Sequence, residues 1–131
     1  MLTSKPSLLL GLLLLTSQAC HHALGAESPG SGVYQVRDLY ATCAVAPQSS
    51  DYARAMAGCL GFIGGAVQYH DAVSDRKQLK RLICYPESAT VTDGRSAFLA
   101  WAEKNAANQE RMAEIAVVGL VRALAERYPC R

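Results

Sequence analysis

The sequence predicts an all-α protein, a small four-helix bundle stapled by two disulfides. Three observations lead there. Apolar residues recur at intervals of three and four over most of residues 33–128, the spacing of helices with one buried face. No stretch alternates apolar and polar residues for long enough to make a useful strand. An even number of cysteines, Cys43, Cys59, Cys84 and Cys130, remains once an N-terminal export signal is set aside.

That signal is read from Lys5, the apolar run "LLLGLLLL" at 8–15 and the small residues of Ala23-Leu24-Gly25-Ala26. Residues 1–26 are expected to be a secretory signal peptide cleaved near Gly25 or Ala26, because the apolar run is too short to span a bilayer. A cut before Cys20 would instead give a lipoprotein, but Ser17 stands where such sites usually carry Leu or Val. Residues 27–32, "ESPGSG", follow as a flexible leader, and 33–131 form the domain. The chain has 13 basic and 11 acidic side chains, no field of the kind nucleic acid requires. Export would place the chain in an oxidising compartment, where disulfides persist.

The first helix is carried by Val33, Val36, Leu39, Tyr40 and Cys43. After Pro47, "SSD" at 49–51 offers an N-cap for a second, long helix. Its inward positions are Tyr52, Met56, Cys59, Ile63, Ala66, Val67, His70 and Val73, ending near Ser74. Pro86 bars a simple continuation through "ICYPE". Thr90 or Thr92 can cap a third helix bearing Phe98, Leu99 and Trp101. "KNAAN" at 104–108 makes a tight turn, and Asn108 opens a fourth helix with Met112, Ile115, Ala116, Gly119, Leu120, Ala123 and Leu124 inward, stopped by Pro129.

The stretch "AGCLGFIGG" at 57–65 places four glycines inside the second helix. A phosphate loop would need a strand before it and usually a lysine beside it, and neither is present. A membrane span is excluded because the uncharged run between Arg54 and Asp71 is 16 residues, short of the roughly 20 a bilayer needs. The stretch is therefore read as helix, with Gly58, Gly61 and Gly65 on one stripe where another backbone packs closely. Four mid-helix glycines cost about 3 to 4 kcal/mol relative to alanine, so something else must hold the helix. If the last three helices run up, down and up, Cys84 and Cys130 become neighbours and Cys43 can reach Cys59. Of the three possible connectivities this one is favoured, and its two closed loops contribute roughly 3 and 4 kcal/mol.

Candidates for chemistry are few. Cysteine separations of 16, 25 and 46 contain no C-x-x-C pair, and His70 is the only histidine after the signal, so no metal site and no cofactor is expected. Cys59 and His70 share a helix face but lie about 16 Å apart, beyond the reach of a catalytic dyad. Asp71 and Asp75, at i and i+4, sit beside Arg76 and Lys77 as a solvated helix end. Trp101 reads first as a core anchor and second as an interface contact. No catalytic residue is assigned.

Taken together, "CLGFIGG" from Cys59, "ICYPE" and the terminal "ALAERYPC", with Cys43 upstream, resemble the Rap/Tai immunity-protein family over residues 36–130. Two features depart from that pattern: the acidic residue behind the glycines is delayed to Asp71, and "NAAN" stands where a proline is common. The resemblance implies a small exported helical protein, not an enzyme, that protects against a peptidoglycan amidase effector of type VI secretion. It further implies a homodimer whose loop between the last two helices enters the effector's cleft. On this chain the loop is Glu103–Gln109, with Glu103, Lys104, Asn105, Asn108 and Gln109 as contacts, flanked by Arg95 and Trp101. A general periplasmic binding or chaperone-like module on the same scaffold is the alternative.

Overall fold

The computed structural model describes residues 34–131; the expected signal, Val33 and the leader lie outside the described residues. Five helices follow in order: α1 (Val36–Cys43), α2 (Tyr52–Lys77), α3 (Val91–Lys104), α4 (Gln109–Ala113) and α5 (Ala116–Arg127). Among the described residues the only extended pairings are two isolated antiparallel bridges, Gln35 with Ile115 and Ile83 with Pro129. No described helix is long and apolar enough to cross a membrane.

The short α1 is the centre of the packing, in contact with each of the other four helices. It contributes Val36, Leu39 and Cys43, all fully buried, against Met56, Cys59 and Ile63 of α2, Phe98, Trp101 and Ala102 of α3, and Ala116, Leu120, Ala123 and Leu124 of α5. The inward faces of the first three helices are thus the expected ones. Thr90 caps α3: its hydroxyl accepts from the Asp93 N–H, and the Asp93 carboxylate accepts from both the Thr90 hydroxyl and its N–H. Those hydrogen bonds hold Asp93 below its ordinary carboxylate range. At α2 the start falls where "SSD" places it, yet the Asp51 side chain makes no capping bond and pairs with Arg54 instead.

The expected fourth helix is broken. Glu114 and Ile115 are extended, dividing it into α4 and α5. The cause lies in the chain that precedes α1: Val36 N–H donates to the Glu114 carbonyl at 2.9 Å, and Ala116 N–H donates to the Tyr34 carbonyl at 2.9 Å. These two bonds take the place of the helical bonds that the Glu114 carbonyl and the Ala116 N–H would make in an unbroken helix. Ile115, expected inward, is 51% exposed as a result.

Both disulfides form as favoured, Cys43–Cys59 with Cα atoms 5.1 Å apart and Cys84–Cys130 with 5.0 Å. Cys43 and Cys59 are completely buried between α1 and α2, whereas Cys84 is exposed on the α2–α3 loop.

Among the described residues, the glycine stripe is not where backbones meet. Gly58, Gly61 and Gly65 are exposed, a Cβ at Gly61 or Gly65 would meet nothing within 4 Å, and one at Gly58 only the Thr42 methyl at 3.8 Å. Close approach occurs instead at Gly94, over Ile63 and Leu124, and at Gly119, over Val36 and Trp101. Periodicity placed the inward face of α2 correctly, but the glycines lie beside the Cys59–Ile63 stripe and not on it.

Candidate functional site

The turn after α3 is built by two asparagines. Asn105 ends the helix: its N–H donates to the Trp101 and Ala102 carbonyls, and its Nδ2 donates to the Trp101 carbonyl at 2.7 Å. Ala106 N–H closes on Glu103, and Asn108 N–H on Asn105 at 2.8 Å. The Asn108 Oδ1 then accepts from Arg111 N–H at 3.0 Å, starting α4 as its N-cap. Side chains of limited freedom thereby satisfy the ends of both helices. The turn is stiff, and it stands outward: Glu103, Lys104, Ala106, Ala107, Asn108, Gln109 and Glu110 are all exposed.

Five of the expected contact residues, Glu103, Lys104, Asn105, Asn108 and Gln109, come together at this tip. The polar groups of Asn105 and Asn108 shape the turn, and Lys104 Nζ pairs with Glu126 of α5 at 3.0 Å, leaving Glu103 and Gln109 free of side-chain bonds. Arg95 lies nine residues before Lys104, about 13 Å along the helix. Its guanidinium donates twice to the Cys43 carbonyl, at 3.0 and 2.6 Å, so it closes the C-terminus of α1. Trp101 is 7% exposed and forms part of the core beneath the turn.

Sequence reasoning missed the supports of the tip. Arg122 Nε donates to Glu114 at 3.0 Å, Arg111 lies 3.8 Å from the same carboxylate, and a groove of about 420 Å³ runs between α3 and α5, floored by Ala97, Ala100 and Ala123. The i, i+3 pair Arg111–Glu114 was the one visible signal; pairs across helices leave none in a single sequence.

The four cysteines in the described residues are oxidised. His70 is engaged twice: its Nε2 accepts from Leu82 N–H at 3.2 Å and its Nδ1 faces Asp71 at 2.9 Å. Among the described residues, no group of three His, Cys, Asp or Glu side chains is placed to hold a metal ion.

The described residues thus form a cross-linked helical scaffold with an exposed polar turn between α3 and α4. The chain belongs to the Rap1a immunity protein family, whose sequence profile matches residues 35–130. Membership implies a non-catalytic inhibitor with an effector as partner, and the two disulfides fit an exported protein. No curated protein and no solved structure matches the chain.

Proposed function

We propose that this immunity protein neutralises a peptidoglycan amidase effector of type VI secretion, in the periplasm, by seating the Glu103–Gln109 turn in the effector's active-site cleft. The observation that supports this reading best is the self-capped turn. A loop already fixed by Asn105 and Asn108 loses little conformational entropy on docking, which is how a small inhibitor reaches high affinity. Its polar character keeps the unbound protein free of an apolar patch at that point. Glu103 and Gln109 make the first contacts, Lys104 follows by exchanging Glu126 for a group of the effector, and Arg95 and Trp101 hold the platform from behind.

Pairing with a second copy belongs to the same reading. Gly61 and Gly65 are exposed on α2 and face open space among the described residues, and a neighbouring helix can approach such a face closely. Export by removal of residues 1–26 would deliver the protein to the compartment in which its disulfides form.

The test is inhibition of peptidoglycan hydrolysis by a candidate amidase effector of type VI secretion. Addition of one equivalent of the immunity protein is expected to abolish turnover and to co-purify with the enzyme. Unimpaired hydrolysis at stoichiometric excess rejects the reading for that effector, and leaves the general binding module as the account of the scaffold.

A further inference from the structure

At the end of the molecule where α2 runs out, charge and exposed apolar surface coincide. Between Asp75 and Glu87 the chain carries Arg76, Lys77, Lys80 and Arg81 and no carboxylate. Arg81 is engaged by Asp75 at 2.8 Å, whereas Arg76, Lys77 and Lys80 make no ion pair among the described residues. Of the 12 basic and 10 acidic residues in 34–131, four and two fall in 71–82, leaving eight of each elsewhere. The whole net positive charge of the described domain therefore sits at this tip.

Two leucines sit among these cations. Leu79 is 56% exposed and Leu82 57% exposed, and Tyr69, on the same helix stripe as Arg76, is 73% exposed. The backbone explains why Leu79 is presented. Gln78 adopts a left-handed conformation at φ 51°, and the Leu79 N–H returns to the Ser74 carbonyl at 2.9 Å, which closes the helix and turns the chain outward. In such a terminus the residue at the position of Leu79 ordinarily packs back on the last turn. Here more than half of it remains in solvent.

A helix C-terminus attracts cations through its dipole, and that accounts for Arg76 and Lys77. It does not account for Lys80, which is beyond the helix, nor for two uncovered leucines in a loop otherwise anchored by Ile83 and Cys84. Cations around a small apolar point, with an aromatic nearby, match the surface of an anionic bilayer: phosphate groups for the ammonium and guanidinium groups, the acyl boundary for leucine.

We infer that the Arg76–Leu82 tip is a docking surface for anionic phospholipid, holding the protein at a membrane face. The inference is independent of the amidase reading, since the tip and the Glu103–Gln109 turn are separate sets of residues. Reversible peripheral attachment is expected, because a few charges and two side chains fall well short of a stable anchor.

The experiment is co-sedimentation of the processed protein, its mass checked for the absence of residues 1–26, with vesicles rich in phosphatidylglycerol and with vesicles of phosphatidylcholine alone. Binding is expected on the first only and should fall steeply with salt. Lys77→Gln and Lys80→Gln should each weaken it about fivefold. Leu79→Ser with Leu82→Ser should weaken it roughly tenfold with the melt unchanged, since both side chains are exposed. Absence of binding, equal binding to both vesicles, or indifference to either pair of substitutions overturns the inference. Full competition by soluble glycerol phosphate also overturns it, by replacing a surface with a headgroup pocket. All comparisons are against wild type, so any leader retained in the preparation is common to both arms.

Discussion

The two loops that flank α3 are held in opposite ways. The one before it, residues 78–90, is tied to the body from outside: Cys84 is cross-linked to Cys130, its N–H donates to the Tyr128 carbonyl at 2.9 Å, Ile83 is buried, and Leu82 reaches His70. The turn after α3 has no cross-link and is held by its own asparagines. A long loop needs distant partners because its closure entropy is large; a turn of four residues can satisfy its backbone locally. That leaves the outer side of the short turn exposed, while the long loop is tied down at Ile83 and Cys84 and stays exposed over Gln78–Leu82.

The difference is broken most severely by removing the clasp. Cys84→Ala with Cys130→Ala is expected to cost about 4 kcal/mol in denaturant unfolding, the loop-entropy value for a 46-residue separation. Because Cys84 is exposed and the Cys43–Cys59 pair is fully buried, mild reductant should open Cys84–Cys130 first, as a mass map of alkylated peptides would show. Simultaneous reduction of both would contradict the distinction.

Smaller effects follow at the glycines and the turn. Gly119→Ala should destabilise by about 1 to 3 kcal/mol, since the new methyl group meets the Val36 side chain, whereas Gly61→Ala should stabilise by about 1 kcal/mol because it enters open space and improves helix propensity. Equal effects at the two sites would mean that the assignment of the inner and outer faces is wrong. Asn108→Ala should cost about 1 kcal/mol through the lost cap while leaving the cross-linked loop untouched, which amide exchange resolves residue by residue.

The smallest difference concerns pH. In the long loop the Tyr85 hydroxyl is buried with no partner among the described residues, and burial, helped by Asp71 and Tyr128, pushes its pKa up to about 12. An unfolded tyrosine ionises near about pH 10, so the stability contributed by the neutral phenol is complete below that value and is lost as pH rises towards the folded pKa. Tyr85→Phe should be close to neutral at pH 7 and should flatten that alkaline decline. Parallel declines for the two proteins would remove Tyr85 as the cause.

Much of this was legible in the sequence, for reasons that can be located. Periodicity found α1, α2 and α3 because each has one apolar stripe, and the cysteines fixed their pairing once an up-and-down order was assumed. The break at Glu114–Ile115 was hidden because Met112, Ile115, Ala116 and Gly119 keep helical spacing across it; only the bridge to Tyr34 and Gln35, nearly 80 residues earlier, shows why the helix stops there. The turn at 105–108 was readable because asparagine caps act on their neighbours. The hold of Arg95 on the α1 terminus was not legible, since a contact 52 residues away in sequence leaves no local trace.

Affinity of the Ala106→Trp variant for the amidase effector that the wild-type protein inhibits, measured by calorimetry alongside its thermal melt, bears most directly on the claim that a stiff outer turn does the inhibiting. Ala106 is exposed and its side chain supports nothing in the fold, so an unchanged melt with binding weakened by at least about tenfold is the result expected. Undiminished affinity with the same melt would contradict it.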